Sequence, residues 1–107
     1  MLGMSGCSQS EVSVHDSSWR CHKQAGTRTC LIDFTVRNNS DFVTHATLKM
    51  RAYSRSRVGD AITLEVVGKD EMAIRLSPKE ARRMQHVMTL HRPVSQIVLS
   101  AYPSRGN

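Results

Sequence analysis

The sequence predicts an all-β protein, a seven-stranded antiparallel sandwich of two sheets, on three observations. Apolar residues recur at every second position through a succession of short segments. Turn-forming residues separate those segments at nearly regular spacing. One helical competitor, Ser77 to Leu90, offers a cap at Ser77, Pro78 in the first turn and Glu80 for a capping box. Counting His86 inward, however, residues 84, 86, 88 and 90 repeat every two, which favours a strand.

The first strand is read at residues 18–24 and the second from Cys30, with Ala25-Gly26 as a two-residue hairpin turn between them, or, since Ala fits a primed turn poorly, a longer symmetric loop with the same pairing. That turn sets Gln24 opposite Thr27, Lys23 opposite Arg28, His22 opposite Thr29 and Cys21 opposite Cys30. The last is a non-hydrogen-bonded pair, with Cα atoms about 4.5 Å apart and both sulfurs on one face. A Cys21–Cys30 disulfide is therefore expected, and with it an oxidising compartment. The competing reading is two reduced core cysteines in a cytosolic protein. A zinc site lacks its usual knuckle spacing here.

Cys30, Ile32, Phe34 and Val36 form the inward set of the second strand, closed by Asn38-Asn39-Ser40-Asp41. Ala46, Leu48, Met50 and Ala52 form the next. Ile62, Leu64 and Val66 are expected to point inward too, ending at Gly68-Lys69-Asp70, and Met72, Ile74 and Leu76 make a separate strand stopped by Ser77-Pro78. Residues 82–90 and 96–102 complete the seven, broken by Arg92-Pro93. Trp19, near the cysteine pair, is expected to anchor the core. This pattern points to a sandwich of immunoglobulin or fibronectin type III kind, over residues 18–103.

A family resemblance follows from particular residues. Val36-Arg37-Asn38-Asn39-Ser40-Asp41 resembles the strand end "V-x-N-x-S-D" of bacterial extracytoplasmic immunoglobulin-like domains. Met50-Arg51-Ala52-Tyr53-Ser54 falls where FxLYD-type domains carry their namesake strand, with Tyr53 as the matching side chain. Leu76-Ser77-Pro78-Lys79-Glu80 is similar to their "L-x-P-G-E" connection, with Lys79 in place of the usual Gly. The resemblance implies a non-catalytic module, often lipid-anchored, and brings no catalytic residues.

Met4-Ser5-Gly6-Cys7 resembles the end of a bacterial lipoprotein signal, in which small residues precede a Cys that becomes the lipidated amino terminus. Only six residues stand before Cys7, so the resemblance implies a truncated start. Residues 1–17 then read as this lipobox-like start and a polar, Ser-rich tether, and 104–107 as a disordered tail. Lipidated Cys7 would place the chain in the periplasm or on the outer surface, and it accounts for the odd cysteine.

The net charge of +6 and pI near 9.8 favour an anionic partner over a neutral one. The densest basic stripe is Lys49, Arg51, Tyr53, Arg55 and Arg57, which strand alternation lines along one sheet face. A solvated face is the plain alternative, and a single tyrosine is sparse stacking for a single-stranded nucleic acid. Met84, His86 and Met88 combine thioether and imidazole as a copper site would, although three such side chains along one strand span about 13 Å. Core packing is the competing reading for these residues.

No nucleophile, acid–base pair, phosphate loop or dinucleotide fingerprint is present, so no enzyme and no cofactor are expected. The expected function is a binding or structural module of a bacterial envelope lipoprotein, its partner an acidic protein or an anionic envelope surface. A periplasmic copper-binding protein and a cytosolic nucleic-acid binder are the alternatives.

Overall fold

The computed structural model of the chain describes residues 11–104. Its strands are β1 (Val12–Gln24), β2 (Thr27–Asn38), β3 (Thr44–Val58), β4 (Ala61–Leu76), β5 (Ala81–Leu90) and β6 (Gln96–Pro103). They form two antiparallel sheets, ordered β1-β2-β5 and β4-β3-β6. The sheets lie face to face, with β1 beside β6 along one side and β4 beside β5 along the other. The central strands supply most of the interior: Cys30, Ile32, Phe34 and Val36 from β2 meet Ala46, Leu48, Met50 and Ala52 from β3. Each set alternates with more exposed residues, as half-buried strands require.

The first hairpin follows its sequence. Ala25 and Gly26 both take positive φ, 50° and 84°, the signature of a primed two-residue turn. The register then runs Gln24 to Thr27, Lys23 to Arg28, His22 to Thr29 and Cys21 to Cys30. A disulfide joins Cys21 and Cys30, whose Cα atoms are 4.0 Å apart.

The described chain has six strands rather than seven, because residues 62–66 and 72–76 belong to one strand. Gly68-Lys69-Asp70 reads as a turn, but β4 runs straight through it. Gly68 serves close packing instead. A Cβ at this position would collide with Leu90 Cδ2 and lie 3.2 Å from Met88 Cε.

The inward assignment of Ile62, Leu64 and Val66 is also corrected. Ala52 pairs with Gly68 and Tyr53 with Val66, so Val67 is an extra residue opposite no partner. This bulge reverses the parity of β4. Even-numbered residues after it (Gly68, Asp70, Met72, Ile74, Leu76) lie opposite the inward residues of β3. Those before it lie opposite Tyr53, Arg55 and Arg57, leaving Val66, Leu64 and Ile62 45, 52 and 56% exposed.

Three further expectations change. Trp19 stands opposite Ile32 but is 36% exposed on an edge strand, outside the buried cluster. Strand pairing starts at Val12, so residues 12–17 are strand, not tether. A bulge at Asp16 and Ser17, with Asp16 at φ 53°, lets buried Val12 and half-buried Val14 face the core on one side of it and Cys21 on the other. Ser104 is fixed as well: its N–H donates to His45 O at 2.7 Å and its hydroxyl meets Thr47 Oγ1 at 2.7 Å.

At the Ser77–Glu80 connection a turn replaces the helical start. Glu80 N–H donates to Ser77 O at 3.1 Å, and Lys79 takes φ 59°, the conformation for which glycine is usual.

Candidate functional site: the outer face of the second sheet

β3 is central in its sheet, so its outward residues lie between those of β4 and β6. Alternation from buried Ala46, Leu48, Met50, Ala52 and Ser54 places Lys49, Arg51, Tyr53, Arg55 and Arg57 together on the opposite face. The pairing on either side decides their surroundings. Lys49 is opposite Glu71, forming an ion pair at 3.9 Å, and its ammonium stands 5.3 Å from the Tyr102 ring centroid. Arg51 is opposite Lys69 on β4 and exposed Val98 on β6. Arg55 and Arg57 are opposite Leu64 and Ile62.

Among the described residues, Arg51, Arg55 and Arg57 enter no ion pair. A shallow hollow of about 240 Å³ over this face is bordered by Lys49, Arg51, Lys69 and Glu71. The Arg51–Lys69 pair sets like charges directly across the ladder, an arrangement that costs stability.

β6 stops at Gln96, opposite Tyr53, so the β3–β4 hairpin continues past its neighbour. The 91–95 segment braces the start of that extension. Ser95 N–H donates to Tyr53 O at 2.7 Å, Arg55 N–H donates to Ser95 Oγ at 3.0 Å, and Arg92 Nη1 pairs with Glu65 Oε1 at 2.5 Å. Beyond the brace, every residue from Arg55 to Val66 is exposed. The turn is Gly59-Asp60, with Gly59 at φ 62°.

The remaining candidates fall elsewhere. Met88 is buried, only 4% exposed, and Met84 packs against the core. His86 Nε2 contacts Asp70 Oδ2 at 2.7 Å, tying β5 to β4 across the gap between the sheets. Met84 and Met88 thus meet the core, and His86 has an acidic partner. Among the described residues, no three His, Cys, Asp or Glu side chains gather in a group that could hold a metal. Cys7 lies outside the described residues.

Sequence reasoning missed two features. Asn38 is fully buried, and its Nδ2 donates to Phe42 O at 2.7 Å and Ser77 O at 2.9 Å. Its Oδ1 accepts from Ser40 N–H at 3.0 Å, Ser40 Oγ at 2.8 Å and Thr44 Oγ1 at 3.3 Å. The strand-end pattern held the signal, since a buried asparagine can close a turn from both sides. The second is an open groove of about 960 Å³ beside Phe42, Val43, His45, Arg75 and Pro103, at the end of the sandwich away from the projecting hairpin.

These features define an all-β protein of two facing antiparallel sheets whose distinguishing surface is a basic strand face continued by an exposed hairpin. Comparison with family models, with curated proteins and with solved structures gives no match.

Proposed function

We propose that the chain is a non-catalytic binding module of a bacterial envelope lipoprotein, held at the membrane through a lipidated Cys7. In this reading it receives an anionic partner on Lys49, Arg51, Tyr53, Arg55 and Arg57. The observation that carries it is the unneutralised row Arg51, Arg55 and Arg57, with Lys69 facing Arg51. Beyond Lys49, which Glu71 pairs, no acidic side chain among the described residues stands opposite this row, and an unpaired positive strip suits a negative partner. The Cys21–Cys30 disulfide supports an oxidising compartment, the periplasm or the cell exterior, and so disfavours a cytosolic nucleic-acid role. The two facing sheets and the Asn38 turn support an immunoglobulin/fibronectin-like relation of the FxLYD kind.

The test has two arms. Intact mass from the native host should show a mature chain beginning at Cys7 with acyl mass and no thiol free to alkylate before reduction. A chain that keeps Met1 and alkylates at all its cysteines overturns the envelope reading. Replacing Lys49, Arg51, Arg55 and Arg57 by Ala should weaken association with vesicles containing phosphatidylglycerol and flatten its salt dependence. Unchanged association would remove the basic face from the argument.

A further inference from the structure

We infer that the free part of the β3–β4 hairpin is a membrane-docking ribbon. Ile62, Leu64 and Val66 enter the interfacial layer of an anionic phospholipid bilayer, while Arg51, Arg55 and Arg57 engage its phosphates. The inference rests on the anionic-partner reading above and names that partner.

The bulge at Val67 creates this surface. By reversing the parity of β4 it moves three aliphatic side chains out of the core and into register with the basic row: Val66 beside Tyr53, Leu64 beside Arg55, Ile62 beside Arg57. Directly opposed side chains have Cβ atoms about 5 Å apart. The face is therefore a double row, one of arginines and one of aliphatics. Val98 and Tyr102, 39 and 49% exposed, extend it across β6. The acidic groups nearby are either paired or set off from the arginine row. Glu65 lies opposite Ser54, on the inward side of the hairpin, and is held by Arg92; Glu71 is held by Lys49. Asp60 sits in the turn, past the last arginine.

Neither row alone would select a bilayer. An acidic protein would be met by the arginines but gives no reason for half-exposed Ile62, Leu64 and Val66 between them. An apolar protein groove would take the aliphatics but would desolvate Arg55 and Arg57 without partners. A bilayer offers both chemistries in adjoining layers: phosphates at the surface and acyl chains a few ångströms below. Arginine stems lie along apolar surface while the guanidinium stays with the phosphates. The outer edge of β4 carries no neighbouring strand, so its backbone cannot enter the hydrocarbon core. The ribbon must therefore lie along the interface rather than span it.

The test uses the non-acylated full chain with vesicles of phosphatidylcholine alone or mixed with phosphatidylglycerol. Wild type should sediment with the mixed vesicles, and Arg51→Ala, Arg55→Ala and Arg57→Ala should each weaken partitioning roughly fivefold. The triple variant Ile62→Ser, Leu64→Ser, Val66→Ser should lose at least about tenfold while keeping its unfolding midpoint, since these side chains lie outside the core. A Leu64→Trp variant in a Trp19→Phe background should be quenched by bromine-labelled acyl chains.

If the serine variant binds as wild type and Leu64→Trp is not quenched, docking by the apolar row is overturned, while loss of binding in the arginine variants would still uphold the anionic-partner reading. If the arginine variants bind as wild type, both fail. If the wild type self-associates and the serine variant does not, the row is an interface between copies and the inference is overturned.

Discussion

Two hairpins project from the same end of this molecule, and they are finished in opposite ways. The β1–β2 hairpin turns at Ala25-Gly26, is stapled by Cys21–Cys30 just before the turn, and is paired with β5 as far as Arg28. The β3–β4 hairpin turns at Gly59-Asp60, carries no staple, and outruns β6 at Tyr53. Both share one base, where Asn38 joins the end of β2 to the start of β3 and to the Ser77 turn. A common, over-determined base with one fixed and one free tip separates the part that stabilises the fold from the part available to a partner. Local stability should follow the same division, low where the backbone hydrogen bonds of the ribbon meet solvent.

The comparison is broken most severely at the base. Asn38→Ala removes five hydrogen bonds of a fully buried side chain, leaving Ser77 O with the Glu80 N–H alone and Phe42 O with the Ser40 and Thr44 hydroxyls. We expect a loss of about 2–4 kcal/mol by urea denaturation, since each hydrogen bond removed contributes about 0.5–1.5 kcal/mol net. A loss below about 1 kcal/mol would mean that water replaces the amide and that the base is not the common lock.

Removing the staple makes the tips alike. Cys21→Ser with Cys30→Ser frees a short loop in the unfolded chain and should cost about 2–3 kcal/mol on the chain-entropy account. Hydrogen exchange should then show the Cys21–Cys30 region opening more readily, with the β3–β4 tip unchanged. Equal loosening of both tips would show that the staple supports the whole end.

Gly68→Val tests where the second hairpin leaves the core. Its side chain would enter the space of Leu90 and Met88, both buried, and overpacking of this kind costs about 1–3 kcal/mol. Thr63→Val, of similar size but in the free ribbon, should change stability by less than about 0.5 kcal/mol. Similar losses at both sites would erase the distinction between anchored and free halves.

Much of the first hairpin and of both central strands was legible in the sequence, and the reasons are local. A two-residue turn fixes register outward from itself, so Ala25-Gly26 was enough to pair Cys21 with Cys30. The inward sets Cys30 to Val36 and Ala46 to Ala52 follow from unbroken alternation. Alternation fails where one residue is inserted, and Val67 has no chemistry that marks it as a bulge. Hence Ile62, Leu64 and Val66 read as core, and the apolar half of the candidate site stayed hidden while the basic half was evident. Gly68 misled for a related reason. A glycine that lets Leu90 approach and a glycine that makes a turn look the same in a sequence. Ser13, His15, Asp16 and Ser17 have the composition of a tether yet form an edge strand, where outward polar residues are ordinary.

The smallest effect belongs to the base again and is read through pH. Glu80 has its carboxyl held below the ordinary glutamate range, first by the Ser77 N–H that donates to Oε1 at 2.8 Å, then by Arg82, whose Nε lies 3.0 Å from Oε2. A carboxyl with a lowered folded-state pKa adds stability that is present above its unfolded pKa and disappears as pH falls through the folded value. Glu80→Gln should therefore be less stable than wild type near neutral pH, and the two should converge as pH drops below about 4.3. Because the carboxylate is only partly buried, added salt should also shrink the difference. The check is the urea midpoint of both proteins from about pH 7 to about pH 3. If the gap is the same throughout, the charge of Glu80 plays no part and the Ser77 turn is held by shape alone. If it closes at acid pH while Asn38→Ala remains destabilised across the range, the base has two separable locks. One is a neutral amide indifferent to pH, and the other is a partly exposed carboxylate that acid can release.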